Sequence, residues 1–456
     1  MEFTVTSPID GSVHATHRHH EWGEVEDMIE AGGQAFKEWS ARSPEERITI
    51  LSEWIVKFAE RREELARELT VQMGRPCCEA PQEIDEFVTR SRRVLELAPE
   101  ALAEYDKRER GALRHFISPE PLGLVLVQAG WNYPYIISAH SVLPALVSGN
   151  CVLLRHSSQT PSCSISLEES FLEAGGPPGV LQALRLNRTN TDRLHRHRGI
   201  AQVAVTGALP NSEPEPRSRR RRHIGLGLDL GGKDAAYIRP DADMARAARE
   251  LSRAAFGNAG QSCLGVEKIY VHKACFAEFV EALKAEAEKL KLGNPMEEET
   301  TLGPMVRFQA AVAVYDQVNS TIKQGAVPLL PNKAPERAYF YPQILTNVDH
   351  TMKIMAEETF GPAVGVMEVE TDEQAISLMN DSRYALGASV WTAEPEFGLQ
   401  IVKKVNTATS SVNHCDYLDP AIAFLGVNGS PRGFTLSHFG FRMLTNNRSY
   451  WIGPES

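Results

Sequence analysis

The sequence lacks any long apolar run, because no segment approaches the roughly 18 uninterrupted apolar residues of a membrane-spanning helix. Residues 1–6 (MEFTVT) carry neither the basic lead nor the apolar core of a secretory signal. The seven cysteines are odd in number and scattered at no framework spacing, which favours free thiols in a reducing compartment. These absences predict a cytoplasmic protein that does not associate with membranes.

Metal-ligand spacing is also missing from the sequence. No CxxC pair and no cluster of histidine and cysteine has the spacing of zinc ligands, so we predict no metal site. The formal net charge of -11 argues against nucleic acid as the main partner. Nucleic acid is therefore not an expected partner.

The composition is that of a globular protein with a large core. The chain has 456 residues, of which 42% are hydrophobic and 23% charged, enough for two or three domains. Ser43, Pro44 and Glu46 form a capping-box pattern with proline at the first helical position. The apolar residues that follow keep helical spacing on one face: Leu51, Trp54, Ile55 and Phe58.

Strand and helix patterns alternate beyond about residue 120, which is typical of parallel βαβ units. The first series has strand patterns at 123–129, 151–154 and 202–206 and helical patterns at 135–147 and 164–174. The second has strand patterns at 235–238, 268–272, 364–369 and 388–392 and helical patterns at 243–255, 274–291 and 372–379. We therefore predict two α/β domains with a seam near residue 230, and a nucleotide at the carboxyl ends of the first domain's strands.

One cysteine lies in a setting that suggests chemistry. Cys263 follows a glycine-rich turn and comes 34 residues after Asp229 (263 − 229 = 34). A thiol between small residues is accessible to a substrate, and a carboxylate can activate water beside it, as in covalent catalysis through a thioester. A lone cysteine is more often a small buried apolar residue, so the surrounding motifs decide between the two interpretations.

Four motifs resemble those of the aldehyde dehydrogenase superfamily in order and spacing: residues 130–134 (GWNYP), 228–233 (LDLGGK), 258–263 (NAGQSC) and 357–362 (EETFGP). The resemblance extends from about residue 7 to the end of the sequence. It implies NAD(P)-dependent oxidation of an aldehyde to a carboxylic acid, in a homodimer or homotetramer.

The resemblance also implies an architecture, an α/β fold with a Rossmann-like cofactor-binding domain, an α/β catalytic domain and a small bridging β unit for oligomerisation. The cofactor-binding domain would comprise residues 1–102 and 122–230. The catalytic domain would comprise residues 231–430. The bridging segments would be residues 103–121 and 431–456.

The same resemblance assigns three catalytic residues. Cys263 would attack the aldehyde, Asn132 would donate its amide to the oxyanion, and Asp229 would activate the water that hydrolyses the thioester. The superfamily usually has glutamate where this chain has Asp229, one methylene shorter. Asn132 as a turn residue and Asp229 as a strand-end residue without a catalytic part are the alternatives. Glu267 is expected on a strand, pointing away from the thiol.

The cofactor positions implied by the resemblance depart from the superfamily pattern in part. Arg155 replaces the usual ribose-binding lysine, and Ser158 stands where members that prefer NAD often have an acidic residue, so NAD is expected and NADP is allowed. Trp131 is assigned to this set as well, with core packing as the alternative. The complete set is Trp131, Arg155, Ser158, Gly207, Gly231, Glu358 and Phe360.

Residues 208–223 depart furthest from the superfamily. Ala208 and Ser212 replace a serine and a glycine of the phosphate-facing helix, and two prolines and a run of four consecutive arginines (219–222) follow. Because proline does not fit inside a regular helix, this helix is expected to be shortened, displaced or absent. The arginines would belong to a surface loop, contact the pyrophosphate, or form a basic signal; a local frameshift is a further alternative.

The substrate tunnel would be formed by Tyr133, His140, Ser262 and Phe424, of which His140 is expected to be a packed wall residue. None of these is a lysine or arginine, which favours an apolar or aromatic aldehyde over a semialdehyde acid. Two other functions stay open. The chain could be a catalytically impaired homologue that serves as a binding subunit, or a dehydrogenase that transfers the acyl group to coenzyme A.

Overall fold

The computed structural model describes residues 1–110, 113–207, 225–229, 231–424 and 435–453, with the backbone alone at 109–110 and 225–229. The chain begins with an antiparallel hairpin and four helices: β1 (Glu2–Thr6), β2 (Val13–Arg18), α1 (Trp22–Ala41), α2 (Pro44–Glu60), α3 (Arg62–Met73) and α4 (Ala80–Ala101). Within these ranges, no helix combines the length and the apolar character that crossing a membrane requires.

A five-stranded parallel sheet occupies the first half of the α/β region. Its strands and helices are β5 (Leu124–Ala129), α5 (Pro134–Val147), β6 (Cys151–His156), α6 (Pro161–Glu173), β7 (Leu181–Ala183), α7 (Arg188–Leu194), β8 (Gln202–Thr206) and β9 (Gly225–Asp229). The strand order is β7-β6-β5-β8-β9, so the chain reverses direction across the sheet between β5 and β8. Ligands of doubly wound folds bind at the carboxyl ends of the strands beside such a reversal.

A seven-stranded sheet occupies the second half. Its elements are β10 (Asp234–Ile238), α8 (Met244–Phe256), β11 (Val266–His272), α9 (Phe276–Ala287), α10 (Phe308–Lys323), β12 (Val327–Pro328), β13 (Gln343–Thr346), α11 (Lys353–Ala356), β14 (Ala363–Val369), α12 (Asp372–Asn380), β15 (Gly387–Trp391), α13 (Pro395–Val402) and β16 (Thr409–Val412). The order is β12-β13-β14-β11-β10-β15-β16, and among the described strands of this sheet only the β12–β13 pair is antiparallel.

A separate three-stranded antiparallel sheet joins distant parts of the chain. It consists of β3 (Tyr105–Arg110), β4 (Leu113–Pro121) and β17 (Thr445–Ile452), in the order β17-β4-β3. The short helix α14 (Ser437–Arg442) precedes β17. The division of the chain into domains at residues 102, 121, 230 and 430 stays a prediction.

The predicted α/β fold class is confirmed, and so are most of the predicted elements. In α2 the side chain of Ser43 accepts from the backbone of Glu46, whose carboxylate accepts from Ser43 in return. Every residue of β5 is buried, as expected for a parallel strand covered on both faces. The predicted helix at 274–291 was too long, because α9 ends at Ala287. The hairpin and helices α1, α3 and α4 were not predicted from the sequence.

Candidate active site

The nucleophile loop, residues 257–263, has an unusual backbone. Asn258 and Ala259 have φ of 51° and 55°, and Gly260 has φ of 69°, so three consecutive residues are left-handed. The buried side chain of Gln261 fixes this loop, because its amide donates to the carbonyl of Asn258 at 2.9 Å and accepts from the Val306 amide at 2.8 Å. Cys263 thus follows a rigid turn rather than a flexible loop.

Gly260 is the position in this turn where a side chain does not fit. A Cβ there would collide with the backbone of Gly361, whereas a Cβ on Gly257 would meet no described atom within 4 Å. We expect Gly260→Ala to lower the free energy of unfolding by at least about 2 kcal/mol, because it adds left-handed strain to overpacking. Urea unfolding measures this loss. Gly257→Ala is the matched control and should change stability little; equal effects of the two would contradict the argument.

Cys263 is half-buried and packs against an apolar cluster. This cluster contains Leu386, Phe424 and Leu436. On the backbone side, Gly232 faces the carbonyl of Cys263 so closely that a Cβ on the glycine would lie 2.7 Å from it. All seven cysteines lie in the described part of the chain, and none of them forms a disulfide.

The side chain of Asn132 meets the nucleophile loop. Asn132 follows β5, and its buried amide nitrogen donates to the carbonyl of Gln261 at 3.2 Å. The carbonyl of Asn132 accepts from the side chain of Asn258 at 3.0 Å. The carboxyl edge of the first sheet therefore faces the loop that carries Cys263.

Arg75 links Asn132 to the nucleophile loop, and it was not predicted from the sequence. Its guanidinium pairs with the buried Glu83 and donates to the carbonyl of Asn132 at 2.5 Å. It also donates to the side chain of Asn258 at 3.4 Å and lies over the ring of Tyr133 at 4.4 Å. Burial raises the pKa of Glu83, and the guanidinium opposes that shift. No motif marks Arg75, since its partners are distant in sequence.

Asp229, the predicted base, is the last residue of β9. Its backbone pairs in register with Thr206 at the end of β8. This register places position 229 at the carboxyl edge of the first sheet. Its carboxylate lies outside the described residues, and so does the predicted irregular segment 208–223. The roles assigned to both stay predictions.

Glu358 lies against the two glycines that follow β9. Its carboxylate accepts from the backbone amide of Gly232 at 3.1 Å, and a Cβ on Gly231 would collide with it. Burial raises the pKa of Glu358 to about 7, and the nearby charge of Glu267 adds to the shift. The predicted cofactor positions Gly231 and Glu358 are therefore adjacent.

A buried ion pair supports this segment. Lys233 Nζ lies 2.7 Å from the carboxylate of Glu267, which also accepts from the backbone amides of Thr359 and Phe360, both at 2.8 Å. Phe360 is left-handed, with φ of 47°. Glu267 therefore holds the loop that presents Glu358, a role that the sequence analysis did not anticipate.

The predicted cofactor residues Trp131 and Phe360 contact each other across the two halves of the molecule. Their rings are 5.7 Å apart and nearly perpendicular, at 84°. Trp131 also packs against the core of the first half. Both interpretations of Trp131, in the cofactor site and in the core, are therefore compatible with its position.

The remaining predicted cofactor residues follow or end strands of the first sheet. Arg155 on β6 donates to the carbonyl of Leu186 at 3.3 Å, and burial lowers the pKa of its guanidinium. Ser158 is exposed. Gly207 after β8 has φ of 138°, and a Cβ there would meet no described atom within 4 Å.

Two predicted tunnel residues have polar partners. The ring of His140 is buried with its Nε2 3.1 Å from Arg90, and burial lowers its pKa well below the usual value. A neutral, fixed histidine fits the expected wall residue. Ser262 donates to the carboxylate of Asp416 at 3.3 Å. Asp416 was not identified from the sequence, because it lies in a loop without a motif.

Comparisons with known proteins agree with this geometry. A sequence model of the aldehyde dehydrogenase family matches residues 1–450. A 3-sulfolactaldehyde dehydrogenase of Priestia megaterium is 32% identical over 423 residues, 89% of this chain and 86% of the relative. A succinate semialdehyde dehydrogenase [NAD(P)+] of Escherichia coli is 28% identical, over 94% of this chain and 93% of the relative.

A solved structure shows the same fold. The succinic semialdehyde dehydrogenase of Streptococcus pyogenes, in complex with NADP+, superposes with a TM-score of 0.94 at 26% identity, covering 99% of this chain and 100% of the other. The chain therefore belongs to the aldehyde dehydrogenase family and carries out the NAD(P)-dependent oxidation of an aldehyde.

Proposed function

We propose that Cys263 is the nucleophile, that Asn132 and the backbone amide of Cys263 bind the oxyanion, and that Asp229 activates the hydrolytic water. One observation carries the proposal: the amide nitrogen of Asn132 lies 3.2 Å from the carbonyl of Gln261, two residues before the thiol. The left-handed turn and Arg75 hold both partners in place. Such preorganised donors are worth roughly 100- to 1000-fold in rate each.

In the reaction, the thiolate of Cys263 attacks the aldehyde carbon, and a sulfur–carbon bond forms as the carbonyl electrons move to oxygen. Asn132 donates to this oxygen. As the electrons on this oxygen return to carbon, a hydride leaves the carbon and a thioester is left on Cys263. The acyl group is then released when a water, deprotonated by Asp229, attacks the thioester carbon and the thiolate departs. The products are the carboxylic acid and the original thiol side chain.

The described residues suit a dinucleotide. The chain reverses between β5 and β8, and Gly207, with φ of 138°, lies at the carboxyl end of β8. Arg155, Ser158, Gly231 and Glu358 would hold the cofactor with Trp131 and Phe360. When bound, NAD(P)+ accepts the hydride of the former aldehyde carbon. Ser158 brings no negative charge against a 2′-phosphate, which supports the use of NADP as well as NAD.

We expect Asp229→Glu to raise steady-state turnover, by up to about 100-fold, because the longer side chain carries the carboxylate about 1 Å closer to the thioester. Stopped-flow absorbance at 340 nm separates the first turnover from the steady state. The burst amplitude should stay the same while the steady rate rises. Asp229→Asn, which removes the base, should lower the steady rate; an unchanged rate in the glutamate variant would refute this role.

The proposed substrate is an apolar or aromatic aldehyde. Relatives act on succinate semialdehyde and 3-sulfolactaldehyde, whose acid groups are ionised at neutral pH. In this chain the proposed tunnel positions Tyr133, His140, Ser262 and Phe424 supply no cation of their own, since burial keeps His140 neutral. A carboxylate or sulfonate would therefore be desolvated there without a partner.

The test of the whole proposal is a panel of aldehydes with NAD or NADP, followed at 340 nm in the pre-steady state and the steady state. Continuous NADH or NADPH formation with an apolar aldehyde is the expected result. A single burst that coenzyme A prolongs would assign transfer to a thiol instead of hydrolysis. No burst, together with no cofactor binding by calorimetry, would refute the proposal in favour of a binding subunit.

We also propose a cytoplasmic homo-oligomer. Trp451 and Ile452, near the end of β17, are 68% and 41% exposed, and association of two copies would cover this apolar surface. The absence of disulfides among the seven described cysteines suits a reducing compartment. The proposed domains are residues 1–102 with 122–230, 231–430, and the bridging segments 103–121 with 431–456.

A further inference from the structure

Asp416 lies on a loop with a strained and well-anchored backbone. Asn413 and Asp416 both have left-handed φ, of 54° and 51°. The side chain of Asn413 binds the backbone of Thr392 at both ends, donating to its carbonyl at 2.8 Å and accepting from its amide at 2.9 Å. This loop therefore presents the Asp416 side chain in a fixed direction.

That direction is toward the nucleophile loop. The carboxylate of Asp416 accepts from Ser262, the residue before Cys263, at 3.3 Å. Its charge contributes to the raised pKa of Tyr133, after burial, so it also lies near the second wall of the proposed tunnel. Asp416 further shares a cavity with Leu264, the residue after Cys263.

The charge of Asp416 has no close cationic partner in the described part of the chain, where no lysine or arginine nitrogen lies within 4 Å of its carboxylate. Arg253 on α8 and Arg90 on α4 act on it from further away. Arg253 is engaged with Glu250 at 3.4 Å, and Arg90 contacts Glu86 and His140.

Burial raises the pKa of Asp416 to about 7, against the influence of Arg253, Ser262 and Arg90. Burial raises the pKa of its neighbour Asp234 further, to about 8. Tyr133 and Cys415 nearby also have raised pKa values and are neutral in this range. As the pH rises above 7, Asp416 is therefore the first of these four residues with raised pKa values to become negatively charged. His414 and Tyr417 line the same cavity as Asp416.

We propose that Asp416 selects substrates by charge: aldehydes with an ammonium group are favoured, and aldehydes with a carboxylate or sulfonate are rejected. This inference rests on the proposed role of Cys263 at the end of a substrate tunnel. An unpaired carboxylate beside the nucleophile attracts a cation and repels an anion, and partial burial strengthens both effects. Neutral aldehydes are neither attracted nor repelled by this charge, so the preference for them lies between those for the two charged classes.

The test uses thiol reagents of matched reactivity and different charge, so that neither cofactor nor turnover is needed. The reagents are 2-(trimethylammonium)ethyl methanethiosulfonate, 2-sulfonatoethyl methanethiosulfonate and neutral methyl methanethiosulfonate. Mass spectrometry follows the modification rate of Cys263, with the exposed Cys78 as internal reference. The cation-to-anion rate ratio at Cys263, divided by that at Cys78, should fall by at least about tenfold in Asp416→Asn.

Asparagine is the appropriate replacement, because it keeps the size of aspartate and tolerates left-handed φ. Asp419→Asn makes the same change at an exposed position of the same loop and should leave the ratio unchanged. In the unsubstituted protein, the ratio should also fall as pH is lowered from 8.5 to 6, since Asp416 is then protonated. The neutral reagent corrects for changes in thiol reactivity.

The outcomes separate the two proposals. A ratio that Asp416→Asn does not change overturns charge selection, even if the protein oxidises neutral aldehydes. A shifted ratio without any aldehyde oxidation supports charge selection and refutes the proposed function. A Cys263 that none of the three reagents modifies contradicts the tunnel and overturns both.

Discussion

Replacing Cys263 by alanine is expected to eliminate aldehyde-dependent formation of NADH or NADPH, with a loss of roughly 10⁴-fold or more in turnover. Without the thiol no bond to the aldehyde carbon forms, so neither the burst nor the steady state can appear. Stopped-flow absorbance at 340 nm with the best aldehyde of the panel measures both phases. Binding of the cofactor, measured by calorimetry, should persist, because the thiol is not one of the proposed cofactor contacts.

Cys78→Ala is the matched control for this prediction. Cys78 is the exposed cysteine among the seven and lies on the segment before α4, where its thiol donates to the carbonyl of Thr300. The same chemical change there should leave the burst intact. A burst that survives in Cys263→Ala but not in Cys78→Ala would show that Cys78, and not Cys263, is the nucleophile.

Local patterns in the sequence were sufficient to predict the α/β fold class and many of its elements, and they provided the candidates for the reacting groups. The capping box of α2 and the apolar strand β5 follow from neighbouring residues, and their burial agrees with the patterns. Cys263 and Asn132 were proposed as reacting groups from motifs whose residues are consecutive. In each case, the information lies within a few positions of the residue itself.

The groups that support the site could not be predicted in this way. Arg75 contacts the carbonyl of Asn132, 57 positions away, and Asp416 accepts from Ser262, 154 positions away. Glu267 was expected on a strand and pointing away from the thiol, but its partners on the loop before β14 could not be predicted because they are 92 and 93 positions away. Single polar residues in loops gain their roles from tertiary packing, which periodicity does not encode.

The steric constraints on the site also depend partly on neighbouring residues in the sequence and partly on distant ones. A glycine-rich turn before Cys263 could be recognised from the sequence, but which glycine is indispensable depends on a loop about a hundred residues away, where Gly361 approaches Gly260. The short carboxylate at position 229 is visible in the sequence alone. The effect of this shorter side chain on hydrolysis depends on how closely the two sheets approach each other. The turnover of Asp229→Glu measures that effect.

Replacing Arg75 by methionine should have the largest effect on stability, a loss of about 3–5 kcal/mol in the free energy of unfolding. Arg75 and Glu83 are 4% and 2% exposed, and removing the guanidinium leaves the carboxylate buried without its ionic partner. Urea unfolding at a fixed protein concentration measures the loss. Arg62→Met is the control, since its pair with Asp85 is exposed and should contribute less than about 1 kcal/mol.

A double variant separates the contribution of this ion pair to protein stability from the role of Arg75 in positioning Asn132 and the nucleophile loop. Arg75→Met combined with Glu83→Leu removes both charges, and a buried pair replaced by apolar residues of similar size recovers most of the lost stability. Turnover should not recover, because the carbonyl of Asn132 and the side-chain oxygen of Asn258 both still lack the guanidinium as a donor, and only the bond from Asn258 to Asn132 remains. The loss should appear in kcat and not in KM, since the oxyanion forms after the aldehyde binds. Full recovery of both stability and kcat would reduce Arg75 to a packing residue, and the hydrogen bonds of Gln261 and Asn258 would then be enough to order the nucleophile loop.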